Sequence, residues 1–105
     1  MTLEAKVKKK VVNVIKAHKA YYFYPVTGGF GRSGIPDIVV CHCGHFVGIE
    51  CKAGRNKPTA LQEAELAKIK EAGGSSMWVN EETIYLVDEV LKAIGEKYGH
   101  QRPVV

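Results

Sequence analysis

Leu3, Val7, Val11, Val14 and Ile15 recur at helical spacing with lysines between them, which predicts a helix over residues 2–19 with Thr2 as its N-cap. Glu4 shares that apolar stripe and not the lysine face. An inward carboxylate is unfavourable unless it meets a cation or a donor. The period then shortens: Tyr21-Tyr22-Phe23-Tyr24-Pro25-Val26 is aromatic and strand-like, closed by Pro25. Residues 27–34 carry Gly28, Gly29, Gly31 and Gly34 with Phe30, Arg32 and Ser33, and predict a loop. The loop matches neither a P-loop nor a dinucleotide fingerprint. Two readings stay open, a flexible connection or a segment that lets backbone amides and Arg32 approach a phosphate.

Residues 35–41 and 46–52 predict two strands, with Ile38-Val39-Val40 and Phe46-Val47-Gly48-Ile49 apolar on both faces as in the middle of a sheet. A helix over residues 59–72 follows, opened by a Thr59/Gln62 capping box and ended by Gly73-Gly74, with Leu61, Ala64, Leu66, Ala67 and Ile69 inward. Residues 76–79 read as a strand, and residues 83–87 as a short strand or helix lead-in. Residues 88–98 read as a closing helix with Val90, Leu91 and Ile94 inward. The order α-β-β-β-α-β followed by a helix predicts one α/β domain over residues 1–105, a central mixed sheet flanked by helices.

Charged residues interrupt the two central strands. If Cys43-Gly44 is a two-residue turn that faces His42 with His45, Asp37 stands opposite Glu50 with β-carbons about 4.5–5.5 Å apart. Lys52 then projects on the same face, opposite Ile35. Facing carboxylates repel, and a divalent cation held by one or two of them removes the penalty. The same ion with open positions for water and phosphate supports phosphodiester hydrolysis. Mg²⁺ or Mn²⁺ on Asp37, Glu50 and the Cys51 backbone carbonyl is therefore the expected cofactor site. Lys52 would orient water or stabilise charge on phosphate, its role as general base staying open. The plainer alternatives are Asp37 as a turn residue after Pro36 and Glu50/Lys52 as an exposed cross-strand charge pattern.

The residues Pro36-Asp37 and Glu50-Cys51-Lys52 resemble the PD-(D/E)XK nuclease signature. The wider series Gly31-Arg32-Ser33-Gly34-Ile35-Pro36-Asp37, Gly48-Ile49-Glu50-Cys51-Lys52-Ala53, Gln62 and Ala72-Gly73-Gly74 resembles the virus-type replication-repair nuclease (VRR-NUC) branch, from Glu4 to about Val79. The resemblance implies a PD-(D/E)XK-like core with Asp37 and Glu50 as metal ligands beside the Cys51 carbonyl. It implies Lys52 as the catalytic lysine, Gln62 as the glutamine that contacts the site, and Glu4 as the first-helix glutamate. Cys51 departs from the plain hydrophobic residue usual there, and a small apolar cysteine is a mild departure. The resemblance further implies a bacterial or phage enzyme, a homodimer that cuts branched DNA such as four-way junctions. The candidate dimer surfaces are the aromatic stretch Tyr21 to Tyr24 and the region around Trp78 and Tyr85.

Composition narrows the partners. Net charge is +4, from 15 lysines and arginines against 11 acids. Lys6, Lys8, Lys9, Lys10, Lys16 and Lys19 lie in or just after the first helix, and Arg32, Lys52, Arg55 and Lys57 flank the acidic pair. A basic surface around an acidic centre suits a polyanion held over a metal, and Arg32, Ser33, Arg55, Lys57, Lys8, Lys9 and Lys10 are the expected DNA contacts. A solvated lysine-rich helix face is the alternative. No apolar run approaches a membrane span and no signal peptide is evident, so an intracellular, cytoplasmic protein with no nucleotide cofactor is expected. Three cysteines make a poor disulfide framework. Cys41, His42, Cys43 and His45 cannot readily converge tetrahedrally on zinc along a strand, so a plain hairpin tip is expected, with a small zinc-dependent binding protein using Cys41, Cys43 and a histidine as the alternative. A non-catalytic nucleic-acid-binding module on the same fold, and a nicking or flap nuclease guided by a partner, are the competing functional readings.

Overall fold

The computed structural model describes residues 1–26 and 31–101, the last without its side chain. The expected contribution of Gly28, Gly29 and Phe30 to a phosphate-approaching loop lies outside the described residues. Helix α1 (Leu3–Ala17) leads into β1 (Tyr21–Phe23), β2 (Ile38–His42) and β3 (His45–Cys51). After these come α2 (Ala60–Glu71), β4 (Ser75–Val79), α3 (Tyr85–Tyr98) and a 3₁₀ turn, Gly99–Gln101. The four strands form one sheet in the order β1-β2-β3-β4, antiparallel except for the parallel β3–β4 pair. The mixed sheet and flanking helices are those expected. Residues 83–87 turn out to be the helix lead-in of the two possibilities.

The core lies between one sheet face and helices α1 and α3. Val7, Val11 and Ile15 from α1 and Val87, Leu91 and Ile94 from α3 pack on Ile38, Val40, Val47, Ile49, Cys51 and Val79. Leu3, expected in the stripe, is 62% exposed, and Val12 is buried in its place. Leu3 opens the first turn of the helix, where none of the described residues covers it, whereas Val12 faces the body of the fold. Helix α2 covers the other face. Its Ile69 side chain lies over Gly48, where an added β-carbon would come within 2.6 Å of Ile69 Cδ1. The Ser76 hydroxyl donates to the Leu66 carbonyl at 2.6 Å. The expected apolar side of α2 is corrected: Leu61, Ala64 and Ala67 are exposed, and Glu65 is buried beside Leu66. Glu65 meets cations there, described below, which removes the usual penalty on a buried carboxylate.

The β2–β3 hairpin has the expected register, His42 facing His45 through to Ile38 facing Ile49. Cys43 (φ 52°) and Gly44 (φ 77°) are both left-handed, as a two-residue hairpin turn with right-handed strand twist requires. Cysteine accepts this conformation with some strain, and the register follows from it. The strands are shorter than expected at the functional end, since Ile35, Pro36 and Asp37 precede β2 and Lys52 follows β3. Lys52 therefore has no ladder partner in Ile35. Its N–H donates instead to the Val79 carbonyl at 2.9 Å, continuing the β3–β4 side of the sheet.

Candidate active site

The site forms where β2 starts and β3 ends. Asp37 lies one residue before the ladder, at the position that continues its register opposite Glu50. Its Oδ2 accepts from the Cys51 N–H at 2.8 Å, a side-chain bond where the next strand pairing would fall. That bond fixes the carboxylate against the end of β3.

Glu50 is 3% exposed. Its Oε2 accepts from Gln62 Nε2 at 2.9 Å and lies 3.6 Å from Lys52 Nζ. Its other oxygen, Oε1, is buried with no hydrogen-bond partner among the described residues. Burial first, then the negative charge of Asp37, push the Glu50 carboxyl up to about 7, with Lys52 pulling the other way. A deeply buried carboxylate with one unsatisfied oxygen is an expensive element of a fold and calls for a cation.

Gln62 serves two elements at once. Thr59 Oγ1 accepts from the Gln62 N–H at 3.2 Å, and Gln62 Oε1 accepts from the Thr59 N–H at 2.9 Å, closing the capping box of α2. With its carbonyl committed to the cap, the amide nitrogen points at Glu50. Gly34 sets the distance between this helix start and the Pro36-Asp37 segment. It has φ +87°, and an added β-carbon would lie 2.6 Å from the Leu61 carbonyl oxygen.

The remaining expected site residues spread around this cluster. Lys8 projects from α1 to within 3.8 Å of Asp37 Oδ1, away from the company of Lys9 and Lys10, which are exposed. Glu4, half-buried one helical turn earlier, is near enough to act electrostatically on Cys51. Burial and the Asp37 charge push the Cys51 thiol up to about 12, so it stays protonated and apolar. Arg32 Nε donates to Glu65 Oε1 at 2.6 Å, and Lys68 Nζ is 3.5 Å from the same oxygen. Ser33 is exposed near Arg32, and both line an open cleft of about 440 Å³ with Lys8, Tyr24 and Asp37. Arg55 and Lys57 are exposed on the β3–α2 loop, Arg55 beside Glu81 and Glu82. The anchoring of Arg32 by Glu65 leaves no signal in the sequence pattern, because the two lie 33 residues apart and on different elements.

Among the described residues no group of three or more histidine, cysteine, aspartate or glutamate side chains is gathered to hold a metal. The two carboxylates are nonetheless suited to a hard divalent ion that keeps several waters and completes its shell with phosphate oxygens. The orphaned Glu50 Oε1 fits that ion better than it fits a purely structural role. His45, by contrast, is hydrogen-bonded to Ser75 Oγ at 3.0 Å and stacked on Tyr98, and His18 meets His42 edge to face.

No protein-family model matches the sequence, and no curated protein matches it. Solved structures do match the fold. One described as a VRR_NUC domain superposes with a TM-score of 0.69 at 23% identity, covering 88% of this chain and 97% of that one. A second, a VRR_NUC domain protein, gives a TM-score of 0.63 at 20% identity over 92% of this chain and 88% of the other. The chain thus has the fold of a VRR_NUC domain, the PD-(D/E)XK-like architecture that its motifs led us to expect.

Proposed function

We propose that this chain is a divalent-metal-dependent endodeoxyribonuclease, a single nuclease domain over residues 1–105 that cuts branched DNA as a homodimer. The observation that carries the reading is the buried Glu50 carboxyl group, one oxygen held by Gln62 and Lys52 and the other without a hydrogen-bond partner among the described residues. Asp37, Glu50 and the Cys51 backbone carbonyl would hold Mg²⁺ or Mn²⁺. When bound, the ion supplies an activated water and charge stabilisation at phosphate.

The protein's own groups divide the remaining work. Gln62 fixes the rotamer of Glu50, and the Cys51 N–H fixes that of Asp37. Lys52, half-buried with its backbone tied to Val79, presents an ammonium to the attacking water or to a phosphate oxygen. Glu4 adds a carboxylate beside Cys51. Arg32, Ser33, Lys8, Lys9, Lys10, Arg55 and Lys57 would steer and hold the DNA backbone, consistent with a net charge of +4.

Selectivity for branched DNA and dimerisation go together in this reading. A two-fold dimer brings two sites to two strands of a symmetric four-way junction. The edge strand β1, with Tyr21 and Phe23 exposed, and the exposed Tyr85 are surfaces suited to a second copy. No described helix is long and apolar enough to cross a membrane. Asp37→Ala and Lys52→Ala are expected to abolish cleavage while DNA binding persists. Loss of binding by a folded variant would count against the assigned roles.

A further inference from the structure

At the site each of the two carboxyl groups, Glu50 and Asp37, faces one lysine. Lys52 faces Glu50 at 3.6 Å and Lys8 faces Asp37 at 3.8 Å. The two lysines differ in freedom. The Lys52 side chain is 13% exposed and its backbone continues the sheet edge, whereas the Lys8 side chain is 35% exposed on a cleft wall. Only one Asp37 oxygen is committed to the protein backbone, and Lys8 lies against the other. A divalent cation on that oxygen would sit next to an ammonium, and like charges at such a distance repel.

We propose that Lys8 is a displaceable counter-ion: it neutralises Asp37 in the ion-free protein, and yields that carboxylate to the divalent cation while its ammonium turns to a DNA phosphate in the adjoining cleft. The inference rests on the metal-site reading above. Lys8 is suited to the exchange because Asp37 and the cleft share it, with Arg32 and Tyr24 on the same cleft. Arg32 is less free to move, since buried Glu65 holds its Nε at 2.6 Å. Phosphate in the cleft draws Lys8 from Asp37, and the freed carboxylate then takes the cation more readily. Ion and DNA therefore bind with positive coupling.

The test is calorimetric titration of Mn²⁺ into the full chain without DNA, for wild type, Lys8→Gln, Lys8→Arg and Lys92→Gln, the last at an exposed position on α3. Lys8→Gln is expected to bind Mn²⁺ about three- to tenfold tighter, while Lys8→Arg and Lys92→Gln match wild type. Equal or weaker binding by Lys8→Gln, with wild type binding normally, overturns the counter-ion role and leaves the metal site standing. No Mn²⁺ binding by any of these proteins overturns the metal reading and the inference with it. A second arm uses junction DNA in chelator, where no ion competes. Lys8→Gln should weaken DNA binding several-fold more in an Asp37→Asn background than in the wild-type background. The same loss in both would show that Asp37 does not hold Lys8.

Discussion

Gln62 donates its side-chain amide to Glu50 at 2.9 Å while its carbonyl oxygen closes the N-terminal cap of α2 on Thr59. One side chain thus ties the start of a helix to the buried carboxylate at the end of β3. Its orientation is settled by the cap, because the acceptor end is used there and only the donor end remains for Glu50. Gln62→Ala removes both bonds and leaves Glu50 Oε2 with Lys52 alone among the described residues. A loss of about 1–3 kcal/mol in urea unfolding is expected, together with a fall in cleavage rate. Gln62→Glu keeps an acceptor for the cap but sets a carboxylate against Glu50. It should therefore cut activity more than stability.

The raised Glu50 carboxyl makes stability depend on pH. Its folded value of about 7 lies above the ordinary 4.5, so between these values the folded chain holds a proton that the unfolded chain releases. Stability then falls as pH rises across that window and levels off above it. Glu65 and Glu81 are held below their ordinary range by Arg32 and by backbone donors, including the Gly54 N–H, and act in the opposite sense at lower pH. Unfolding at pH 5, 6, 7 and 8 should show the decline in wild type and a much flatter profile in Glu50→Gln. Mn²⁺ should stabilise wild type more at pH 8 than at pH 6, since it takes the ionised form. Parallel profiles for wild type and variant would contradict this.

Gly34→Ala tests the contact that spaces the Asp37 segment from α2. The φ of +87° strains any side chain, and the new β-carbon would meet backbone at the Leu61 carbonyl, which cannot rotate away. A destabilisation of about 2–4 kcal/mol is expected by urea titration, with cleavage lost even below the unfolding transition. Gly54→Ala, where the φ is +62° but space is open, should be the milder change.

Arg32 and Lys57 should separate fold from DNA binding. Arg32 carries the closest cation to Glu65 among the described residues, so Arg32→Ala leaves Glu65 with only Lys68 and should lower the urea unfolding midpoint as well as weakening DNA binding. Lys57 is exposed, and Lys57→Ala should weaken DNA binding with little change in the unfolding midpoint. Equal stability losses in the two would argue against the Glu65 anchor.

Much of this arrangement is legible in the chain because it depends on short-range rules. The Cys43-Gly44 turn determines the hairpin register and so brings Asp37 to Glu50, and Thr59 with Gln62 announces the helix start. What was illegible depends on contacts between distant segments. Leu3 and Leu61 look like core residues by spacing, yet each lies in the first turn of its helix, where the neighbouring layer does not reach. Glu65 looks like surface until the loop bearing Arg32 folds over it. The run Lys8-Lys9-Lys10 reads as one basic face, although Lys8 stands four residues after Glu4 and one after Val7, a spacing that already turns it toward the inward face. Gly34 gave a signal for a loop but none for the close approach to Leu61.

The most direct test is cleavage of a labelled four-way junction beside matched duplex, flap and single strand, with Mg²⁺, with Mn²⁺ and with chelator, for wild type and Glu50→Ala. The account predicts paired symmetric cuts confined to the junction, absent with chelator and absent in a folded Glu50→Ala. Junction cutting that persists in chelator or in Glu50→Ala would contradict it, as would tight junction binding with no cutting under either metal.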